Sequence, residues 1–553
     1  MLNNIATMFI DSATIKRNDK TYTRHLLRSS FRENGKVKHK TIANLSSCTD
    51  DEIKGIKLAL KHKKNLFELC SINDVKTVLA KRIGAVWALK VIADRLGITK
   101  ALGNDLNGKL ALIQVFARVI NQGSRLSAVR FSKSHAACEI IGIDKLDEDD
   151  LYENLKWIAK QQEAIEKRLY KLRFPNTCPT LFLYDVTSSY LEGVCNELAD
   201  WGYNRDKKKG KMQIVVGLLA GSDGLPVAVR VFEGNTSDMK TVTEQVRILA
   251  KTFGAKEVTL VGDRGMLRGP QIDNLPDDFR YITAITKPEI RKMLENNVIQ
   301  YELFTEHVCE ISQNGIRYVL RRNPFRAQQI AESRESRITS VAKLIQNRNE
   351  YLEMHSNASV GTALEKVREK IIKLKADKWL SAFAEQRVIS IKTDESALLQ
   401  AALLDGCYVI KSDVPEENAD AQTLHDRYCD LENVERAFRT MKTTHLEIRP
   451  VFVRKQESTR GHAFVVMLAL LLQRELERCW AGLDITVEEG INELAAIHME
   501  NIYIGDTNIQ NIPEPNKIGK ELLEKAMISL PSALPSRTAN VHTKKKLPSE
   551  RIH

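Results

Sequence analysis

The sequence has no Cys-x-x-Cys pair. Its nine cysteines, at 48, 70, 138, 178, 195, 309, 407, 429 and 479, are scattered and odd in number. That argues against a zinc site and a disulfide framework, and fits a reducing cytoplasm. Long apolar runs are also missing. The longest, Ala463–Leu472, is far short of the roughly 20 residues that cross a bilayer. The first residues, MLNNIATMFIDSATIKRN, lack a charged segment followed by an apolar core, so no secretory signal is expected there. What is present is an ordinary globular composition, 43% hydrophobic and 28% charged, over 553 residues. That length suggests about two to four units. Net charge is +12 and the pI near 9.1, which favours a polyanionic partner, most often nucleic acid.

Patterning divides the chain. Residues 1–60 read as a small, basic, β-rich region. Tyr22–Arg28 and Gly35–Ile42 form strand-like runs around Glu33-Asn34-Gly35, and Asn-Gly supplies the positive φ of a tight turn. Residues 61–175 read as helical, with apolar positions from Val78 to Leu96, Leu110 to Val119 and Leu151 to Leu172. Strands begin at Pro179. Beyond them, charged helices over Ile330–Glu353 and Thr362–Phe383 mark residues 291–420 as an insertion. Residues 421–485 read as the completion of the core. Residues 486–553 are a C-terminal extension whose tail, rich in Pro, Ser and Lys, is expected to be disordered from about Leu530.

The stretch Leu181–Tyr190, LFLYDVTSSY, reads as a buried central strand that carries one carboxylate, Asp185. Two further strands, Gln213–Ala220 and Leu225–Phe232, follow through short turns as an antiparallel meander. A helix capped by Ser237 or Asp238 runs to about Phe253. A fourth strand then delivers Asp263, and a fifth spans Arg280–Thr286. If strands one and four are neighbours, Asp185 and Asp263 face each other. Two such carboxylates raise each other's pKa, and a divalent cation between them relieves the repulsion. Hard oxygen ligands suit Mg²⁺. A third carboxylate is expected from a later helix. Tyr428, Glu435 and Lys442 are spaced seven apart and would line one helix face, beside an apolar stripe of Leu431, Val434 and Phe438.

In these residues the sequence resembles insertion-sequence transposases with an Asp-Asp-Glu triad on an RNase H-like core. It is most similar to the branch marked by a Tyr-x2-Arg-x3-Glu-x6-Lys helix. Tyr428, Glu435 and Lys442 match that signature, and Leu431 stands at the arginine position. Asp185 in YDVTSSY and Asp263 in VGDRGM match the two aspartates. The resemblance runs from about residue 180 to 480. It implies an α/β fold: an RNase H-like mixed sheet flanked by helices, in two parts (176–290 and 421–485), with an inserted domain and a mainly helical N-terminal region that binds DNA ends. It implies cleavage of the element's ends and transfer of their 3′-hydroxyls into target DNA. Asp185, Asp263 and Glu435 would be both catalytic residues and metal ligands, for two Mg²⁺ or Mn²⁺ ions. Expected DNA contacts are Tyr428, Lys442, Arg436 and Arg439, with Lys207, Lys208, Lys209 and Lys211 of the polar loop before the second strand. Arg427, Arg436 or Arg439 would replace the missing arginine. The implied partners are double-stranded DNA and a second copy of the chain on paired ends, with no membrane, in the bacterial cytoplasm. Two alternatives stand beside this reading. A structure-specific nuclease would cut without joining. A silent, transposase-derived DNA binder would be expected to lack one acid, and all three are present.

Overall fold

The basic N-terminal residues alternate with β-branched and aromatic ones, and they form a three-stranded antiparallel sheet: β1 (Thr7–Arg17), β2 (Lys20–Glu33) and β3 (Lys36–Asn44). The expected hairpin is the β2–β3 pair, and β1 extends it. The computed structural model describes residues 7–17, 20–33, 35–64, 75–176, 179–206, 208–264, 266–442, 446–450, 452–504, 507–534 and 539–544. Asn34 of the turn lies outside them. A helix, Asp50–Lys61, follows behind a capping box in which Thr49 and Glu52 satisfy each other's backbone N–H.

The chain forms two compact units. One comprises Met1–Ala80, His498–Pro513 and Pro531–Ala533; the other comprises the rest. In the first unit the expectation of helix from Val78 is corrected. Val75–Arg82 is a strand, β4. Val75, Thr77 and Val78 are β-branched, and pairing with a strand from far along the chain overrides the helical spacing.

The second unit opens with helices, among them Leu106–Ile120 and Glu148–Arg173, with the short β5 (Lys145–Leu146) between them. The sheet follows. Its strands are β6 (Leu181–Tyr190), β7 (Gln213–Gly221), β8 (Pro226–Phe232), β9 (Thr259–Gly262) and β10 (Arg280–Ala284). β6 lies at the centre, antiparallel to β7 and parallel to β9. Both its neighbours are strands and helices cover both faces, so its ten residues are buried or half-buried. Gly217 of β7 leaves room for the Tyr184 ring: a Cβ there would lie 2.4 Å from the phenol oxygen. Phe182, Tyr184 and Val186 pack with Tyr170 of Glu148–Arg173 and with Val242 and Ile248, from the helix Asp238–Arg247 and its π-helical continuation Ile248–Phe253. Strand alternation turns Leu183, Asp185 and Thr187 to the other face.

Residues 291–420 do not stand wholly apart from the core. β11 (Cys309–Gln313), β12 (Ile316–Arg322) and β15 (Cys407–Ser412) extend the sheet beyond β10, giving eight strands in the order β11-β12-β15-β10-β9-β6-β7-β8. Between β12 and β15, helices Pro324–Met354 and Val360–Lys373 close a separate small core with β13 (Leu380–Glu385) and β14 (Val388–Thr393). The helix expected to reach Phe383 therefore ends at Lys373. Lys375 takes a positive φ of 55°, which no helix continues through, and the apolar residues beyond it alternate as a strand.

The apolar run near residue 465 becomes the helix Gln456–Trp480, buried along most of its length against Glu148–Arg173 and Leu106–Ile120. Among the described residues no helix is long and apolar enough to cross a membrane. After the helix Val487–Ala495 the chain returns to the first unit, where β16 (His498–Ile504) pairs with β17 (Thr507–Asn511) and with β4. The expectation of disorder beyond Leu530 is corrected for residues 539–544. There β18 (Asn540–Val541) pairs with β5, and the Lys544 ammonium lies 3.0 Å from Asp147 and 2.8 Å from Asp149. Asp147 is the N-cap of the helix Glu148–Arg173, and the Lys544 backbone N–H also donates to the Glu148 carboxylate at 3.0 Å, so residues 540–544 are tied to that helix N-terminus. Lys545 and Lys546 lie outside the described residues.

Candidate active site

Two parallel strands deliver the aspartates. Tyr184 of β6 pairs in register with Gly262, the last residue of β9. The next residue on each chain is a carboxylate, so Asp185 and Asp263 stand side by side, one strand spacing of about 4.8 Å apart in backbone. Each is held by a backbone N–H. Val186 donates to Asp185 Oδ1 at 2.7 Å, and Arg264 donates to Asp263 Oδ1 at 2.7 Å. Tyr428 Oη also donates to Asp263 Oδ1, at 3.2 Å.

The helix Leu431–Lys442 brings the third acid. Leu431, Val434, Ala437, Phe438 and Met441 are buried against the Asp185 face of the sheet, and Glu435 projects from the exposed side. The single helix expected to carry Tyr428, Glu435 and Lys442 is corrected here. The helical run breaks at Asp430, so Tyr428 ends a separate helix, Ala421–Cys429. The break lets the two halves make different contacts, Tyr428 with Asp263 and Leu431–Met441 with β6.

The three acids line one pocket of about 490 Å³, together with Arg264, Tyr408, Tyr428 and Arg439. A larger pocket of about 810 Å³ opens at the other ends of β6 and β9, around Thr180, Thr259 and Arg427. Ligands of such sheets bind beyond the carboxyl ends of parallel strands, so the smaller pocket is the candidate site. Burial first, and then the Asp263 and Glu435 carboxylates, push the Asp185 carboxyl up to about 7; the Val186 N–H and the Arg205 charge work against the rise. Burial and the neighbouring Asp263 likewise raise the Tyr428 phenol, so it stays protonated as a donor.

The other expected contacts are distributed unevenly. Arg439 lines the acidic pocket. Arg436 is exposed on the same helix. The Lys442 ammonium is taken up by Asp206 at 2.7 Å. Lys208 and Lys209 are exposed, with Lys208 over the Tyr190 ring at 5.8 Å. Lys211 lies 3.7 Å from Glu192. Lys207 lies outside the described residues. Leu431 is packed away, 8% exposed, and Arg427 pairs with Asp430 at 3.3 Å. Of the three candidates for the missing arginine, only Arg439 lines the pocket. Arg264 and Arg205 were not anticipated as site residues. Arg264 could have been found from its place directly after Asp263, but no spacing points to Arg205.

The donor set suits a divalent cation in kind, being all hard carboxylate oxygen. It is an open set: among the described residues no three His, Cys, Asp or Glu side chains gather closely enough to enclose a metal ion. Mg²⁺ is commonly held by one or two carboxylates, with waters and substrate phosphate completing its shell, so the residues fit.

The order β8-β7-β6-β9-β10, with β6 antiparallel to β7, parallel to β9 and flanked by helices, defines an RNase H-like core. The sequence comparison goes further. Residues 176–472 match the transposase DDE domain, and residues 10–69 match the N-terminal domain of IS1634 family transposases. The chain belongs to the DDE transposases of insertion sequences. No curated protein matches the sequence. A solved structure, the cryo-EM structure of a piggyBac transposase synaptic complex with hairpin DNA, aligns with a TM-score of 0.36 and 9% identity, covering 80% of this chain and 75% of that one.

Proposed function

We propose that the pocket at the carboxyl ends of β6 and β9 cleaves the DNA ends of an insertion sequence and transfers their 3′-hydroxyls to target DNA. Asp185, Asp263 and Glu435 are its catalytic acids. One observation carries the reading: three carboxylates share one pocket, and Asp185 is driven up to about 7 partly by the other two. A protein that needed these residues only for folding would pair them with cations.

Asp185, Asp263 and Glu435 would hold one or two Mg²⁺ or Mn²⁺ ions. When bound, such ions activate a water or 3′-hydroxyl and stabilise the leaving oxygen. The chain's own residues do the positioning. Tyr428 and the Arg264 N–H both engage Asp263 Oδ1, leaving Oδ2 to ligate. Arg439, Arg436, Arg264, Lys208, Lys209 and Lys211 supply positive charge for the phosphate backbone on either side of the acids. Lys442 reaches phosphate only by exchanging its Asp206 partner, so its first role is to clamp the polar loop to the glutamate helix. A second copy of the chain would hold the paired end, and residues 61–175 would help to read it. The substrate places the work where DNA is, in the bacterial cytoplasm.

The test is cleavage and joining of DNA carrying the element's own ends, with Mg²⁺ or Mn²⁺. The wild type is expected to do both, and Glu435→Gln to bind DNA but do neither. Equal behaviour of the two proteins would refute the assignment of Glu435. Cutting without joining would favour a structure-specific nuclease.

A further inference from the structure

His425 lies one turn before Tyr428 on the helix Ala421–Cys429 and is 5% exposed. Two residues directly opposite each other in the sheet, Arg321 of β12 and Tyr408 of β15, converge on its Nε2. Arg321 Nη1 stands at 2.9 Å and Tyr408 Oη at 2.6 Å. A guanidinium can only donate, and burial keeps the Tyr408 phenol protonated. Nε2 is therefore the acceptor, and the ring proton sits on Nδ1, which donates to Asp426 Oδ1 at 2.9 Å. The imidazole fastens the helix to two strands that residues 291–420 contribute.

A buried histidine with three partners is usually a tie within the fold, and nothing in the sequence singles this one out. What sets it apart is where its helix ends. Tyr428, three residues on, shares the same side of the helix, and its hydroxyl donates to Asp263 Oδ1 at 3.2 Å. The helical run breaks at Asp430, so the helix that carries Glu435 does not continue through Tyr428. Tyr408 and Tyr428 both line the acidic pocket. We propose that His425 is a positioning residue for Asp263 and acts through Tyr428. It holds the helix end against the sheet, so that the phenol keeps Asp263 Oδ1 and leaves Oδ2 to the divalent cation. Hydrogen-bond partners of a ligating carboxylate orient it and so set its affinity for the ion. The inference deepens the strand-transfer reading and rests on its assignment of Asp263 as a ligand.

The test is Mn²⁺ titration of the full chain without DNA, with the free ion read by electron paramagnetic resonance. His425→Phe fills the space but accepts no hydrogen bond. It is expected to weaken Mn²⁺ binding about three- to ten-fold, the worth of one hydrogen bond. Tyr428→Phe should do the same, and the double variant no more than either single change. In His425→Gln a side-chain carbonyl can accept from Arg321 and Tyr408, and affinity should return to within about two-fold of the wild type. Should His425→Phe fail to fold, Tyr408→Phe decides. It keeps its ring, removes one donor and is expected to weaken Mn²⁺ about two-fold; an unchanged affinity there would overturn the proposal. So would wild-type Mn²⁺ affinity in folded His425→Phe, losses that add in the double variant, or a wild type that takes up no Mn²⁺. The two readings fail separately. Mn²⁺ binding that depends on His425, in a chain that neither cuts nor joins, would count against strand transfer alone. Cleavage by the wild type, with a Mn²⁺ affinity indifferent to His425, would count against the positioning alone.

Discussion

Two carboxylates on opposite faces of the same sheet are treated in opposite ways. Glu166, on the helix Glu148–Arg173, is fully buried. Arg230 of β8 grips it with two hydrogen bonds of 2.8 and 2.9 Å, and Gln162 adds a third at 2.8 Å. Asp185 is half-buried, receives one backbone N–H and has two further acids for neighbours. Burial of charge is tolerable at Glu166 because its partner is built in. At Asp185 the described residues give no cation in direct contact with the carboxylate, the Arg205 charge counters only part of the rise, and a group kept in that state points to a ligand. The contrast separates a carboxylate that supports the fold from one that the proposed function assigns to chemistry.

The largest effect should come from removing the built-in partner. Arg230→Ala leaves Glu166 buried and unpaired, which costs about 3–5 kcal/mol; denaturant unfolding would register it, and a loss below about 1 kcal/mol would break the comparison at its structural end. Next in size is Glu435→Gln. It is expected to reduce cleavage by about 10²–10³-fold, the usual loss when a charge-stabilising group is removed, while the unfolding midpoint hardly moves because Glu435 is exposed.

A third outcome concerns pH, measured in chelator. The folded carboxyl of Asp185 titrates near 7, against an ordinary value of 3.8. Between those values the folded chain keeps a proton that the unfolded chain has lost. Stability therefore falls as pH rises through this window, and the penalty is complete above 7. Asp185→Asn removes it. The variant should match the wild type near pH 4 and exceed it at pH 8 by on the order of 2 kcal/mol, discounted for partial exposure. A gap that stays constant across the range would mean that Asp185 is not under strain from its neighbours. The smallest change is Tyr428→Phe. Loss of one hydrogen bond to Asp263 is worth about 0.5–1.5 kcal/mol, or a few-fold in cleavage rate, with DNA affinity little altered.

The placement of the three acids was more legible than the architecture around them. LFLYDVTSSY could be read as a central strand because an apolar run followed by β-branched residues has few other uses, and β6 has those bounds. The neighbouring of strands one and four was inferred from element order, and the β6–β9 register places Asp185 beside Asp263. The apolar stripe of Leu431, Val434 and Phe438 predicted which side of that helix is buried, and those residues are. Local pattern was less reliable where distant strands intervene. The spacing from Val78 is helical, yet Val75–Arg82 pairs as β4, and Leu380–Phe383, read as the end of a helix, belongs to β13. The tail after Leu530 looked too polar to be ordered, but residues 539–544 find acids far back in the chain to hold them.

Residue types and their order along the chain, by themselves, determined that three acids would be carried on two strand ends and a helix, among enough basic residues to meet a polyanion. They did so because strand and helix periods are local properties. Which cations the acids meet was decided only in three dimensions. Lys442 is spent on Asp206, Leu431 goes into the core, Arg439 reaches the pocket, and Gly202 meets Gly234 at a close approach that no spacing records. Electrostatic balance depends on distances between segments remote in sequence, and only the folded chain sets those distances.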